Sequence, residues 1–177
     1  MSNAVALVEQ VSALLDLCGG VDWSLLSDAE VDEVLVRGFR QVGRFTGSVL
    51  LPLVREAEAR GLAAAHDAPD MRAWLRDTLN VRPAEAGRLL RLATALDDDL
   101  PETATALSEG AVSVEHAQVI AEAMRALPAE TPAGVRAAAE RELVQRSGTL
   151  DPGAVALLGR RVLDVVDPDG SAELQAR

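Results

Sequence analysis

The chain has 177 residues, of which 49% are hydrophobic and 2% aromatic, and its net charge is −11. This length suits one sizeable domain, and the composition indicates a core of alanine, leucine and valine. The negative charge argues against strong non-specific adhesion to DNA or anionic membranes, and no apolar run approaches the ~18 residues that cross a bilayer. Because the N-terminus also lacks the layout of a secretory signal, we expect a cytoplasmic protein with no membrane contact.

The first predicted helix lies at the N-terminus, where apolar side chains recur at three- and four-residue spacing from Val5 to Cys18. Gly19 and Gly20 end it, and we assign residues 1–22 to this helix and its linker. Cys18 is the only cysteine and lies in the apolar stripe, so we expect it to be a small core residue. A stripe this apolar is expected to pack against the next helix or against a second copy of the chain.

A long helix, the spine helix, is predicted from Ser27 to about Arg60. Ser27 followed three residues later by Glu30 forms a capping-box pattern. The apolar residues that follow keep a helical period, which is typical of a helix around which a fold is built. Large aliphatic residues in this stripe, such as Leu53, are therefore expected to be buried.

The spine helix contains one proline and three glycines. Pro52 predicts a kink about one turn earlier, near Ser48. Gly38, Gly43 and Gly47 allow another backbone to approach closely. Two interpretations remain open for these glycines: a contact with another helix of the same domain, or the seam of a homodimer formed through the N-terminal and spine helices.

Two pairs of helices follow, each with a short helix, a turn and a longer helix. The first pair is predicted at 71–79 and 83–96 with a turn at Asn80, and the second at 101–109 and 114–127. Proline just inside a helix start, glycine just past an end and serine at an N-cap satisfy the backbone at helix termini. These signals are Pro83, Pro101, Gly110 and Ser113. Each pair resembles a helix–turn–helix unit.

The remaining chain predicts two more helices. Thr131 is expected to cap a helix that runs to Arg146, with Val135, Ala138, Ala139, Leu143 and Val144 facing inward, and the last helix ends in a turn at 167–170. No segment alternates with period two. The predicted fold is therefore all α, a single multi-helix domain of about eight helices over residues 23–170, with residues 171–177 as a tail.

The sequence offers little catalytic chemistry. His66 and His116 are fifty residues apart and no cysteine lies near either of them, so no metal, cofactor or small-molecule site is predicted. His66 is expected to be solvated and His116 to form a hydrogen bond at a helix junction. The run Asp97 to Asp99 is expected to be a solvated helix exit, because a hard-metal loop spaces its ligands around a turn. No catalytic residue is assigned.

Arginine is concentrated in one part of this acidic chain. Residues 71–96 carry five arginines against Asp77 and Glu85, which leaves a local charge of +3. The arginines are Arg72, Arg76, Arg82, Arg88 and Arg91. This segment is the one basic island of the sequence.

The helix that begins at Pro83 is the best candidate for binding a ligand. Helical spacing turns Arg88, Arg91 and Ala95 outward and places Arg82 at the helix N-terminus. A helix set after a tight turn can lie in the DNA major groove with its arginines on bases or phosphates. The DNA-binding candidates are Arg76, Arg82, Arg88 and Arg91. The alternative is that these arginines are only solvated or paired with carboxylates.

The second helix pair is less suited to DNA. Its long helix turns Glu115, Gln118 and Glu122 outward with a single arginine, Arg125. We therefore expect this pair to take no part in binding.

Several runs of residues, in this order, resemble one family. They are Trp74-Leu75 to Leu79; Pro83-Ala84-Glu85-Ala86 with Arg88-Leu89, Arg91-Leu92-Ala93 and Ala95-Leu96; Leu107, Gly110, Ser113, Glu115-His116-Ala117 and Ile120-Ala121; and Asp167-Pro168-Asp169-Gly170. Together, over roughly residues 25–170, they are similar to the actinobacterial domain of unknown function 222, the thirteen-E-twelve repeat family. Two positions depart from the pattern: Arg82 stands where a capping serine is usual, and Gly87 stands where another arginine is frequent.

In that family the helical domain usually precedes an HNH endonuclease domain. This sequence contains no His-Asn-His cluster. The resemblance therefore implies a non-catalytic, DNA-associated helical module, the N-terminal part or a stand-alone relative of an HNH-type endonuclease. The alternative is a protein-interaction or dimerisation module that binds no nucleic acid.

Overall fold

The structure, a computed structural model, describes residues 3–166, and within this range it is all α with no strand. The predicted fold class is confirmed. The helices are α1 (Asn3–Gly19), α2 (Asp28–Phe45), α3 (Leu51–Ala59), α4 (Leu62–Ala65), α5 (Met71–Leu79), α6 (Pro83–Asp98), α7 (Pro101–Glu109), α8 (Val114–Ala126), α9 (Ala133–Arg146) and α10 (Pro152–Val166). The turn expected at 167–170 and the tail at 171–177 lie outside the described residues. No helix between residues 3 and 166 is long and apolar enough to span a bilayer.

The chain forms two compact units, one comprising Met1–Gly38 and the other beginning at Phe39. The first unit contains α1, where no residue is buried. Cys18 is exposed, so its assignment to a core was wrong. The apolar stripe of α1 shows that the helix has an apolar side, but no residue on that side is buried, so Cys18 is not a core residue.

The start of α2 forms the predicted capping box. The Ser27 backbone N–H donates to Glu30 Oε2 at 2.8 Å, and the Glu30 N–H donates to Ser27 Oγ at 3.4 Å. The hydrogen bonds from Ser27, side chain first and then backbone, hold the pKa of the Glu30 carboxyl below its ordinary value. The sequence pattern therefore locates this helix start correctly.

The spine helix is interrupted where Pro52 predicted a kink. A π-helical turn, Thr46–Leu50, joins α2 to α3, and Pro52, which has no N–H to donate, follows directly after it in α3. The wider turn changes which side of the helix faces inward. Leu51 is 2% exposed, whereas Leu53 is 55% exposed, so the expected burial of Leu53 was wrong. An unbroken helical period cannot be extended across a π-helical turn.

Two of the three spine glycines contact another helix of the same unit. A Cβ on Gly43 would lie 3.1 Å from the Val112 carbonyl oxygen, and one on Gly47 would lie 3.0 Å from Leu107 Cγ. Nothing lies within 4 Å of a Cβ built on Gly38. The first interpretation of the glycines therefore holds for Gly43 and Gly47, which admit the end of α7.

The core of the second unit consists of two clusters of buried side chains. One joins α3, α5, α6 and α7, with Leu75, Leu92 and Leu107 at its centre. The other joins α8, α9 and α10 around Ile120 and Leu143. The helix pairs α5–α6 and α7–α8 therefore belong to one packed body.

The long helix α9 differs from the sequence prediction at its start and on its inner side. It begins at Ala133 with Pro132 at the N-cap, and Thr131 is buried with its Oγ1 unbonded among the described residues. Val135 and Ala138 are exposed, whereas Glu140 is buried. The Glu140 carboxylate can lie on the buried side of α9 because two groups of α7 donate hydrogen bonds to it.

Those partners are at the first turn of α7. The backbone N–H and the hydroxyl of Thr103 each donate to Glu140 Oε1 at 2.8 Å. A buried carboxylate is stable only when hydrogen bonds replace its hydration, and here it satisfies a helix N-terminus at the same time. Glu140 therefore fastens α9 to α7.

The helix α8 is fastened at its N-terminus and along its length. His116 Nε2 donates to the Leu150 carbonyl oxygen at 2.9 Å, and its Nδ1 lies 2.8 Å from Ser113 Oγ, which confirms the expected helix-junction hydrogen bond. Further along, a Cβ on Gly159 of α10 would lie only 2.5 Å from Ala123 Cβ. The helices α8 and α10 cross at a distance that only glycine permits.

Candidate nucleic-acid interface

The α5–α6 pair is built by residues at its helix ends. Asp70 Oδ1 accepts from the Ala73 backbone N–H at 2.7 Å and caps α5. Asn80 ends α5 in the left-handed conformation with φ 52°, which is tolerated by asparagine. Pro83 then opens α6, but the N-cap residue Arg82 gives no side-chain hydrogen bond. The N-cap side chain therefore accepts no hydrogen bond from the backbone N–H groups of the first turn of α6.

The arginines of α6 lie on its outer side as predicted. Arg88 and Arg91 are exposed, and Ala95, expected outside, is half-buried. The buried residues of α6 are Ala86, Gly87, Leu89, Leu92 and Ala93. Leu90 and Leu96 are half-buried and pack against the same cluster of buried side chains.

Two arginines of the basic island are paired with carboxylates. Arg76 Nε and Nη2 donate to Asp77 Oδ1 and Oδ2 at 2.7 and 2.8 Å. The Arg76 hydrogen bonds hold the pKa of the exposed Asp77 carboxyl below its ordinary value. Arg88 forms an ion pair with Glu85, one turn earlier on α6. A neighbouring carboxylate therefore already neutralises the charge of each of these two arginines.

Three other arginines have no such partner. Among residues 3–166, no ion pair or side-chain hydrogen bond involves Arg72, Arg82 or Arg91. All three are exposed. They carry the unbalanced positive charge of the α5–α6 pair.

Arg72 and Arg91 meet over Gly87, although they belong to different helices. A Cβ on Gly87 would lie 3.3 Å from Arg72 Cδ and 3.2 Å from Arg91 Nη1. With Arg88 and the first turn of α6, they border a shallow cavity of about 380 Å³. We call Arg72, Arg82 and Arg91 the arginine cluster.

The DNA-binding candidates predicted from the sequence include Arg82 and Arg91 but not Arg72. The signal that could have found Arg72 is Gly87, where a missing side chain leaves room for arginines from two helices. Arg76 is on the same helix as Arg72, and its partner is the adjacent Asp77. The structure thus separates the arginines of the island into paired and unpaired members.

The outer sides of the two helix pairs border one groove. A groove of about 760 Å³ is lined by Arg88 and Arg91 from α6 and by Gln118, Glu122 and Arg125 from α8. Its apolar lining consists of Leu90, Leu92, Ala121, Met124 and Leu127, among others. Arg136, Glu58 and Asp99 also line the groove, so its charged side chains are four arginines and three carboxylates, and on the α8 side Glu122 offsets the charge of Arg125.

The acidic run at the end of α6 has a structural partner. Arg55 Nε donates to Asp97 Oδ2 at 3.1 Å, and Arg55 Nη2 lies 3.5 Å from Asp98 Oδ1. Carboxylates at a helix C-terminus oppose the helix dipole, and the guanidinium reduces this cost. No cluster of three or more metal-ligating side chains occurs in the part of the chain that the structure describes.

His66 is exposed and stacks on Trp74 with ring centroids 6.1 Å apart.

The comparison with protein families gives one result. The model of a family described as a domain of unknown function, DUF222, matches residues 38–177. No curated protein and no solved structure matches the chain significantly. The matched region begins one residue before the second compact unit and contains both helix pairs.

Proposed function

Because the chain belongs to the family of the domain of unknown function 222, we propose that it is a non-catalytic, DNA-associated helical module. It is then the N-terminal part or a stand-alone relative of an HNH-type endonuclease, and it acts in the cytoplasm. The observation that carries this proposal is the arginine cluster. Three exposed guanidinium groups without carboxylate partners lie on one helix pair of a chain whose net charge is −11.

The chemistry of the arginine cluster suits phosphate. Guanidinium groups bind phosphate oxygens through two parallel hydrogen bonds, and Arg72 and Arg91 are close enough to act on one backbone segment. The N-terminus of α6 adds partial positive charge, since no side chain caps it. Arg82 stands at that N-terminus. Backbone phosphates are therefore the expected contacts.

The strength of binding is limited by the rest of the chain. A local charge of +3 within a chain of −11 gives weak attraction at a distance. We expect about 2–4 phosphates to be neutralised, with a log–log salt slope of roughly −2 to −4. Arg88 contributes little until it leaves Glu85, since its charge is balanced. The second helix pair, with Glu122 on the groove, is expected to contribute nothing.

The test is a low-salt titration of fluorescent duplex and single-stranded DNA. The variant Arg72→Glu/Arg91→Glu should bind at least about tenfold more weakly, because two phosphate contacts become repulsive. The matched control is Arg160→Glu/Arg161→Glu, which makes the same change in net charge at two exposed arginines of α10. The control should lose much less affinity than the arginine-cluster variant. Circular dichroism should show the same helix content in all three proteins.

Two results would contradict the proposal. If the unmodified protein binds neither form of DNA at low salt, the interaction-module alternative takes its place. If both double variants lose affinity equally, the effect is one of net charge and the arginine cluster is the wrong site. Cutting of plasmid DNA in the presence of magnesium, manganese or zinc, lost when Asp97 to Asp99 are replaced, would contradict the absence of catalysis.

A further inference from the structure

The groove between α6 and α8 has an apolar floor that belongs to the protein core. Its most buried lining side chains are those of Leu92, Leu100, Met124 and Leu127. All the residues that line the groove belong to the second unit. Its volume of about 760 Å³ falls within the range of about 300–1,000 Å³ that is usual for sites of small organic ligands. We call it the α6–α8 groove.

One charged side chain of the α6–α8 groove is held in place by the backbone. Arg136 Nη2 donates to the Met124 carbonyl oxygen at 3.0 Å, and Arg136 Nη1 donates to the Pro128 carbonyl oxygen at 3.5 Å. Among the described residues, no carboxylate forms an ion pair with Arg136. A guanidinium has five N–H groups and these bonds use two of them, so the others can bind an anion.

The carboxylates of the groove do not cancel this charge. Glu58 already forms an ion pair with an arginine of α3, and Glu122 is offset by Arg125 on the same helix. Of the seven charged side chains that line the groove, Arg136 is half-buried and the others, Asp99 included, are exposed. Water and salt screen an exposed charge more strongly than a half-buried one. Arg136 therefore favours a negative group in the ligand.

We propose that the α6–α8 groove binds a small organic carboxylate with an elongated apolar body, such as a medium-chain fatty acid. The ligand carboxylate accepts hydrogen bonds from Arg136, and the apolar body covers Met124 and Leu92. Gln118 and Leu127 both line the groove and are nine residues apart, which corresponds to about 14 Å along α8. Burial of the apolar body supplies most of the affinity, and Arg136 selects the charge.

This ligand site goes beyond the proposed DNA contact and is separate from it. Arg136 does not belong to the arginine cluster, so either proposal can fail without the other. An amphipathic helix of another protein is the alternative occupant of an apolar groove. Such a helix needs no negative group beside Arg136. A comparison of charged and uncharged ligands therefore distinguishes the two occupants.

Isothermal titration calorimetry with octanoate and 1-octanol tests the charge of the ligand on the unmodified chain. One octanoate should bind per chain. Octanol has the same apolar body without the charge and should bind at least about tenfold more weakly, because it makes no charge-assisted hydrogen bond with Arg136. A dissociation constant for octanoate above about 1 mM overturns the proposal. Equal binding of the two ligands also overturns it, because the groove would then recognise apolar surface alone.

Replacing Arg136 tests which residue binds the carboxylate. Arg136→Gln should weaken octanoate binding at least about tenfold and leave octanol binding unchanged. The matched control is Arg141→Gln, which makes the same change in charge at an exposed arginine of α9 and should keep full affinity. Full affinity in a folded Arg136→Gln variant overturns the proposal. Circular dichroism checks the fold, because Arg136 also holds the end of α8.

Filling the groove tests its location without changing a charge. Ala121→Phe should abolish binding of both ligands, because the ring occupies the space of the apolar body. The matched control is Ala126→Phe, at an exposed position of the same helix that does not line the groove, and it should bind both ligands as the unmodified chain does. Equal affinity in the two variants overturns the proposal. If either replacement in the groove prevents folding, the comparison of octanoate with octanol on the unmodified chain decides.

Discussion

The helix pairs α5–α6 and α7–α8 share a sequence pattern but differ in how their helix starts are satisfied. The N-terminus of α7 is capped by the buried Glu140, and that of α8 by Ser113. The N-cap residue of α6 is Arg82, whose side chain accepts no hydrogen bond from the backbone. In the second pair, by contrast, side chains of the protein satisfy the backbone N–H groups at both helix starts. The first pair leaves positive charge for an external anion.

The largest expected effect concerns the carboxylate that holds the second pair. Glu140→Ala should lower the free energy of unfolding by about 2–4 kcal/mol, because Thr103 loses its acceptor in a buried site. Urea denaturation measures this effect. The control is Glu142→Ala on the same helix, which removes only a half-exposed ion pair with Arg146 and should cost less than about 1 kcal/mol. Equal costs would show that the Glu140 cap contributes no special stability.

The crossing of α8 and α10 gives the next effect. Gly159→Ala should cost about 1–3 kcal/mol, because its Cβ would overlap that of Ala123 and the helices must separate. Gly134→Ala on α9, where a Cβ meets nothing within 4 Å, should be neutral or slightly stabilising. Thermal unfolding of both variants makes the comparison. If Gly159→Ala is also neutral, the crossing is looser than the structure indicates.

Changing the N-cap residues of α8 and α6 should change the free energy of unfolding and, at α6, the affinity for DNA. Ser113→Ala should cost about 1 kcal/mol, since α8 loses its cap. Arg82→Ser should stabilise the domain by about 0.5–1 kcal/mol, because it supplies the oxygen that α6 lacks, and should weaken DNA binding. Chemical denaturation and the DNA titration are run on the same samples. A variant Arg82→Ser that gains stability and keeps full affinity would remove Arg82 from the site.

The smallest expected effect distinguishes paired from unpaired arginines. Asp77→Asn releases Arg76, and Glu85→Gln releases Arg88, so each should raise DNA affinity about two- to fivefold at low salt. Asp151→Asn, which removes one charge at the start of α10, is the control and should have a smaller effect. If all three variants gain equally, net charge and not the released arginine explains the result.

Much of the fold follows from local signals in the sequence. Ser113, Asn80 and Gly110 each end or begin a helix through the chemistry of their own backbone or side chain, so neighbouring residues alone locate these boundaries. The capping box at Ser27 is predicted for the same reason. The apolar side chains of α2, by contrast, have the period of a buried helix, yet Val31, Val34 and Val42 are exposed. Periodicity shows that a helix has an apolar side but not what covers it.

The rest depends on contacts between distant residues. The burial of Leu51 in place of Leu53 depends on the π-helical turn, which no local pattern of apolar residues reveals. Glu140 looks like a surface residue until α7 is packed against α9. The approach of Arg72 to Arg91 requires α5 to lie across Gly87. The candidate site was therefore predictable as a basic helix pair, but not as a particular set of unpaired arginines.

The most direct test of the account is the salt dependence of DNA binding by single-residue variants. Arg91→Ala should reduce the magnitude of the log–log slope by about 1, because it removes one phosphate contact. Arg125→Ala, on the α8 side of the same groove, should leave the slope unchanged. This result would assign phosphate binding to α5–α6 alone. Equal loss of slope in the two variants, or no loss in Arg91→Ala, would contradict it.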